Sequence, residues 1–184
     1  MNTLPMGAHY ELFVDGSPGP KKESGKSGWG VVLMAGNTPI YESCGFTKER
    51  LTTNAIELEA LIQGLAYLVR QNMPHMVTVW TDSLYTAETI AKLPFLHAAD
   101  YCDEKGNPVK NKDRICLIYD LLHTLEASSH CIIRKTKGHD GHLGNELADV
   151  LSKKAAYESE CYYKINRTII NEPTDEKPEN SEDT

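Results

Sequence analysis

The order of the hydrophobic segments is the feature that most constrains what this chain can fold into. Three short runs rich in β-branched and aromatic residues come first, over about Tyr10–Asp15, 28–36 and 39–47. Glycine, proline and asparagine separate them, and the Gly36-Asn37 pair marks a turn. Strand-like runs with such short connections predict an antiparallel meander.

Helical and strand-like segments follow the meander. Residues 95–109 are polar and contain glycine and proline, so we expect a loop there, after a short helix that Pro94 ends. The segments predicted by apolar spacing are helices over 52–71, 83–93, 112–127 and 143–157, and strands over 75–82 and 131–137. This order predicts an α/β fold, with a five-stranded mixed sheet (three antiparallel strands, then two parallel) flanked by helices.

The net charge of −7 is distributed unevenly over the 184 residues. Residues 171–184 hold six acidic residues and one lysine, a net charge of −5, so residues 1–170 carry only −2. A global basic signature for nucleic acid is therefore absent from the sequence, and any such binding must rest on local patches. We expect one catalytic domain over 1–158 and an acidic extension over 159–184, disordered from about residue 171.

Several sequence features indicate the compartment. The five cysteines are widely spaced without a CxxC or a Cys/His zinc pattern, which favours reduced thiols. The N-terminal residues show no basic region followed by an apolar stretch, and no apolar run is long enough to cross a bilayer. We therefore expect a cytoplasmic monomer with no membrane partner.

Four carboxylates lie on predicted strands and helices rather than in loops. Asp15 and Asp82 come at the ends of apolar strand-like runs, whereas Glu57 and Asp149 lie in helical segments. A carboxylate at the end of a buried strand is costly unless its charge is compensated. Four converging carboxylates favour divalent ions with oxygen ligands, magnesium or manganese, and two such ions about 4 Å apart can clamp a phosphodiester.

Each of these carboxylates has an ordinary alternative explanation. Asp15 and Asp82 precede glycine and serine, where aspartate commonly forms turns. Glu57 and Asp149 could be solvated helix residues. Only the joint arrangement favours a metal centre over these alternatives.

The residues around the four carboxylates resemble those of a known family. DGS at Asp15, NAIEL at Glu57, TDSLY at Asp82 and KGHDGHLGNELAD ending at Asp149 together resemble ribonuclease H of the bacterial type 1 family, over roughly residues 8–158. The resemblance implies a ribonuclease H-like fold and hydrolysis of the RNA strand of RNA–DNA hybrids, leaving 5′-phosphate and 3′-hydroxyl ends. It also implies that the four carboxylates are catalytic ligands of two Mg²⁺ ions, for which Mn²⁺ can substitute, and that His139 assists the attacking water or product departure.

The family reads the minor groove and its 2′-hydroxyls with amide and hydroxyl groups. By resemblance, the substrate-binding candidates are Asn54, Thr53, Ser17, Ser83 and Asn145.

The chain departs from the family pattern at three places. The first loop lacks an expected asparagine and carries additional lysines, and Leu84 stands where relatives often have glutamine. The protrusion at 100–114 has four acidic and four basic residues, a net charge of zero. Two rival functions therefore stay open: a nuclease of the same fold with another nucleic-acid preference, and a non-catalytic hybrid-binding module.

Overall fold

Six strands among the described residues form one mixed sheet, with helices on both faces. The computed structural model describes residues 9–21, 25–71, 76–126, 131–138 and 141–165. The strands are β1 (Tyr10–Ser17), β2 (Gly28–Ala35), β3 (Thr38–Phe46), β4 (Val77–Thr81), β5 (Cys131–Lys135) and β6 (Tyr162–Ile165). The helices are α1 (Thr53–Gln71), α2 (Leu84–Ala91), α3 (Leu93–Ala98), α4 (Lys112–Glu126) and α5 (Leu143–Glu158).

Strand β1 lies in the interior of the sheet, whose order is β5-β4-β1-β2-β3-β6. It pairs antiparallel with β2, which places Asp15 opposite Gly30, and parallel with β4. Because parallel strands end at the same edge of a sheet, the carboxyl ends of β1 and β4 lie together. Asp15 near the end of β1 and Asp82 directly after β4 therefore come to one edge.

The alternation of side chains along β1 divides the core into two clusters. Leu12 and Val14 pack with α1 and α4 on one face, whereas Phe13 packs with α5 on the other. Successive side chains of a strand point to opposite faces, so Asp15 shares the face of Phe13 and lies under α5. The strand thus carries its carboxylate toward the last helix.

Two glycines of β2 allow α5 to approach the sheet closely. A Cβ atom at Gly28 would overlap the carbonyl oxygen of Ser152, and one at Gly30 would overlap that of Ala148 and lie 2.9 Å from the Cβ of Leu151. Any larger residue would force the helix away from the strand. The backbone of α5 therefore rests directly on β2, which fixes its height above Asp15.

The structure confirms the predicted α/β architecture and adds one strand. Strand β6 pairs antiparallel with β3 and lies beyond residue 158, in the segment predicted to be an extension. It has only four residues, and three residues separate it from the end of α5, so it is too short to show a recognisable alternation. The boundary at 158 stays a prediction, and residues 171–184, where we predicted disorder, lie outside the described residues.

A second difference concerns Pro94. We expected this residue to end a helix and to open a loop over 95–109, but it lies in the first turn of α3. Proline is well suited to a first turn, because the N–H group it lacks has no partner within the helix there. Part of the predicted loop is therefore helical.

Among the described residues, no helix combines the length and the apolar character needed to span a bilayer.

We predict that Gly30→Ala destabilises the protein strongly. The added methyl group meets the backbone of α5, which cannot turn aside as a side chain can, so we expect a loss of about 3 kcal/mol in the free energy of unfolding. The comparison variant is Gly36→Ala, which meets no atom within 4 Å but has a φ of +56° and should cost about 1 kcal/mol. Urea denaturation measures both, and an equal loss in the two variants would contradict the close packing of α5 on β2.

Candidate active site

Asp15 is a buried carboxylate between β1 and α5. Its side chain is 8% exposed, and its Oδ2 accepts a hydrogen bond from the hydroxyl of Ser152. Burial raises the pKa of Asp15 to about 6, against the lowering effect of the Ser152 hydrogen bond. The nearby charges of Asp82 and Asp149 raise this pKa further, and Lys153 lowers it.

Glu57 reaches the same point from the other face of the sheet. Helix α1 begins after Thr52, whose Oγ1 accepts a hydrogen bond from the N–H of Ala55, and Glu57 comes one turn later. A Cβ atom at Gly16 would lie 2.6 Å from the carbonyl carbon of Ile56, so only glycine allows this approach of helix to strand. The backbone of Gly16 also hydrogen-bonds to Glu57.

Asp15, Glu57 and Asp82 bring three carboxylates together. Each offers an oxygen, and these oxygens lie within 4.8 Å of one another. Glu57 is 7% exposed, and burial together with the charges of Asp15 and Asp82 raises its pKa to about 9. Without a compensating cation, such a cluster holds protons rather than carrying its full negative charge.

Asp149 lies beside this cluster, on α5, outside the group of three oxygens. Its Oδ2 is 2.7 Å from the Nζ of Lys153, one helical turn further along. Its charge nevertheless contributes to the raised pKa values of Asp15 and Glu57. The charges of all four predicted carboxylates therefore interact, and oxygens of Asp15, Glu57 and Asp82 lie within 4.8 Å of one another.

The donor set fits a divalent cation. The three clustered donors are carboxylate oxygens, which hard cations such as magnesium and manganese prefer. Within the part of the chain that the structure describes, the buried Oε2 of Glu57 has no hydrogen-bond partner. A buried oxygen without a partner is costly, and a cation at this point would satisfy it. Asp15, Glu57 and Asp82 could therefore hold a metal ion.

The segment after β5 approaches the cluster from a third side. A Cβ atom at Gly138 would lie 3.1 Å from the Oδ2 of Asp82, so the backbone there runs close to this carboxylate. His139 is the next residue but lies outside the described residues. The ring of His142, which precedes α5, packs against Phe13 with 4.6 Å between ring centroids. This contact anchors the beginning of α5.

The five substrate-binding candidates lie on the same elements as the carboxylates. Ser17 ends β1, Thr53 and Asn54 begin α1, and Ser83 follows Asp82. The hydroxyl oxygen of Ser83 accepts a hydrogen bond from the N–H of Thr86 and caps α2. Thr53 is exposed and Asn54 is half-buried.

Asn145, the fifth candidate, lies in the first turn of α5. It is only 4% exposed, so its side chain belongs mainly to the interior. Ser17 lines a surface cavity of about 420 Å³ together with Lys153, Lys154 and Tyr157. Cationic groups therefore stand beside one of the predicted substrate contacts.

Three residues that contact the carboxylates were missed in the sequence analysis. Ser152 and Lys153 follow Asp149 by three and four positions, the spacing at which helix residues are neighbours, so that signal was available. The contact of Ser152 with Asp15 joins positions 137 residues apart, and no local pattern indicates it. The role of Gly16 likewise depends on the packing of α1 against β1.

This chain is similar in sequence to proteins of one known family. Residues 7–157 match the family model described as RNase H. A protein named Ribonuclease H from Cupriavidus necator is 37% identical over 144 residues, covering 78% of this chain and 92% of that protein. A second Ribonuclease H, from Thiobacillus denitrificans, is 32% identical over 152 residues, covering 82% of this chain and 95% of that protein.

A solved structure agrees at the level of the fold. A foamy viral protease-reverse transcriptase in complex with an RNA/DNA hybrid is similar with a TM-score of 0.66 and 23% identity, over 85% of this chain and 21% of that chain. The likeness supports the arrangement of strands and helices. The family model matches most of the sequence, and the match to each bacterial relative covers nearly the whole of that relative. The chain therefore belongs to the RNase H family.

Proposed function

We propose that this protein is an endonuclease that hydrolyses the RNA strand of RNA–DNA hybrids with the help of divalent metal ions. Membership of the RNase H family supports the activity, and the relatives' name describes it. The observation that carries the proposal is the cluster of Asp15, Glu57 and Asp82, whose oxygens lie within 4.8 Å of one another at one edge of the sheet. A module that only bound a hybrid would have no reason to gather negative charge where phosphates must approach.

The proposed ligands are Asp15, Glu57, Asp82 and Asp149, which would hold two Mg²⁺ ions, with Mn²⁺ as a substitute. When bound, such ions activate the attacking water and neutralise the charge that develops on the leaving oxygen. The bond between phosphorus and the 3′-oxygen breaks, so one product ends in a 3′-hydroxyl and the other in a 5′-phosphate.

The chain's own groups prepare this site in three ways. Gly16 allows Glu57 to reach Asp15 and hydrogen-bonds to it through the backbone. Ser152 donates to Asp15, and Lys153 balances the charge of Asp149. The apolar packing of Phe13 with α5 excludes water from below the carboxylates. Together these contacts hold four acidic groups in a place where they repel one another.

Proton handling is assigned to His139. A histidine titrates near neutral pH, so it can take a proton from the attacking water or give one to the departing product. Gly138, which precedes His139 in the sequence, lies close to the Oδ2 of Asp82.

Substrate selectivity is assigned to Asn54, Thr53, Ser17, Ser83 and Asn145. A hybrid has 2′-hydroxyls on one strand only, so amide and hydroxyl groups directed at the minor groove can distinguish it from DNA. Asn54 and Thr53 are the best placed, since both begin the helix that carries Glu57 and neither is buried. We further propose that the protein acts as a cytoplasmic monomer, with its catalytic domain over 1–158.

One assay separates the possible activities. Labelled RNA–DNA hybrid, double-stranded RNA and duplex DNA are each incubated with the protein, with and without Mg²⁺. We expect metal-dependent cleavage of the RNA in the hybrid alone. Cleavage of another duplex would indicate a different preference, and binding to the hybrid without cleavage would indicate a non-catalytic module.

The first prediction from the proposed function is that Asp15→Asn and Asp82→Asn each abolish cleavage while the protein stays folded. Asparagine keeps the shape but removes the charge that holds a cation, so we expect a loss of at least about 10³-fold in kcat, as for metal-assisted chemistry worth several kcal/mol. Steady-state cleavage of the hybrid and circular dichroism measure the two effects. Asp120→Asn, an exposed residue of α4, is the matched control, and unchanged activity in either site variant would refute the ligand assignment.

The second prediction concerns the metal-free protein. The pKa of Glu57 is raised to about 9 from an ordinary 4.5, so the folded state holds a proton that the unfolded chain releases. The resulting stability is fully present below pH 4.5 and is lost as the pH rises toward 9. Glu57→Gln removes this loss and should be more stable than the parent protein at pH 8 in a chelator, by about 2–4 kcal/mol.

Urea denaturation in EDTA between pH 5 and pH 9 measures this effect. The advantage of Glu57→Gln should grow with pH, whereas Asp120→Asn, which removes an exposed carboxylate, should show no such growth. A constant difference across the pH range would mean that Glu57 is not held in its protonated form.

The third prediction is that His139→Ala slows hybrid cleavage without abolishing it. A positioned acid or base contributes about 10²–10⁴-fold, whereas the metal-holding carboxylates stay in place. His97→Ala, which alters a histidine that stacks on Tyr119 away from the carboxylates, is the control. Either a complete loss of activity or no loss at all would show that the assigned role is wrong.

A further inference from the structure

We infer that Ser152 is a positioning residue that orients Asp15 for binding a divalent cation, an inference that rests on the proposed function. Ser152 is 0% exposed, and its hydroxyl donates to the Oδ2 of Asp15. It lies on α5, three residues after Asp149, so it joins the helix that carries one proposed ligand to the strand that carries another.

The packing around Ser152 does not itself require a hydroxyl group. The side of α5 that faces β2 carries several small residues beside Leu151, and Ala148 and Ala155 are likewise fully buried on it. A Cβ atom at Gly28 would overlap the Ser152 carbonyl oxygen, so the backbone of α5 lies close to β2 here and little space separates them. Alanine would fill that space without burying a polar group, which costs free energy unless it is hydrogen-bonded. The hydroxyl therefore has a role beyond packing.

Two acceptors lie within reach of the single hydroxyl proton. The carbonyl oxygen of Asp149 is 2.9 Å from the Ser152 oxygen, the bond that a serine within a helix commonly makes to its own preceding turn. The Oδ2 of Asp15 is the other acceptor. An ionised carboxylate accepts more strongly than a neutral carbonyl, so the proton goes to Asp15 when that side chain is charged.

This contact fixes the direction of the Asp15 carboxylate. With Oδ2 held by Ser152 against α5, the Asp15 carboxylate is kept in one orientation beside Glu57 and Asp82, so less rotamer freedom is lost when a cation binds. The hydroxyl also supplies the hydrogen bond that the desolvated anion needs in the loaded state. Removing it should therefore weaken cation binding while leaving the ligands themselves in place.

The test is a cation titration without substrate. Mn²⁺ and Mg²⁺ binding is measured by calorimetry and by the cation concentration that gives half of the maximal rise in Tm, for the parent protein, Ser152→Ala and Ser152→Cys. Cysteine keeps the shape of the serine side chain with a somewhat larger atom and is a weak donor, so it separates loss of the hydrogen bond from loss of packing. Ser43→Ala is the matched control, since Ser43 is another buried serine, and its hydroxyl donates to the carbonyl oxygen of Tyr162 on β6.

We expect both Ser152 variants to bind the cation roughly tenfold more weakly, the effect of losing one hydrogen bond to a charged group. The Mg²⁺ concentration that gives half of the maximal cleavage rate should rise by a similar factor, because Ser152 acts through a proposed ligand of the cation. Ser43→Ala should bind like the parent protein. Unchanged or tighter binding in Ser152→Ala, or an equal loss in Ser43→Ala, would overturn the inference. Absence of cation binding in the parent protein would instead refute the proposed function.

Discussion

Repulsion between buried carboxylates is the constraint on which the rest of the structure depends. Asp15, Glu57 and Asp82 offer oxygens within 4.8 Å of one another, and Asp15 and Glu57 are buried. Two like charges at that distance repel by about 3 kcal/mol in a medium of effective dielectric constant 20, before any cost of desolvation. No fold would assemble this cluster by chance. The packing of the sheet against α1 and α5 must stabilise the fold enough to offset this repulsion. A bound cation would remove the repulsion, and this gain would contribute to the affinity of the site for the cation.

The close approach of helices to the sheet makes the cluster possible. Gly16 lets α1 descend onto the end of β1, and Gly28 and Gly30 let α5 rest on β2. Since α1 and α5 lie on opposite faces, the strand carrying Asp15 is held between them. Three positions without a side chain therefore bring the acidic groups of separate elements to one point.

Much of this arrangement could be predicted from the sequence, because its signals are local. Apolar spacing predicted every strand from β1 to β5 as well as α1, α4 and α5. Residues Asp15, Glu57 and Asp82 were identified by their joint arrangement on predicted strands and helices and by the resemblance of the surrounding motifs to a known family.

What the sequence could not show depends on contacts between distant segments. Strand β6 is defined by its pairing with β3, which no pattern within four residues reveals. Pro94 fits the start of α3 as well as the end of α2, and only the course of the backbone decides between them. The hydrogen bond from Ser152 to Asp15 depends on the height of α5 above β1, which is set by glycines on a third element.

Charge pairing within the protein also bears on how a hybrid would be held. In the protrusion, the Nζ of Lys112 lies 3.7 Å from the Oδ2 of Asp100. The Nε of Arg114 lies 3.2 Å from the Oε2 of Glu59 on α1. Lys153 is paired with Asp149. These cations balance the protein's own acids, so they attract phosphates less than solvated lysines would. With residues 1–170 nearly neutral, long-range attraction contributes little. We propose that substrate recognition by such a surface rests on the shape of the groove and on hydrogen bonds to 2′-hydroxyls, interactions that salt screens least.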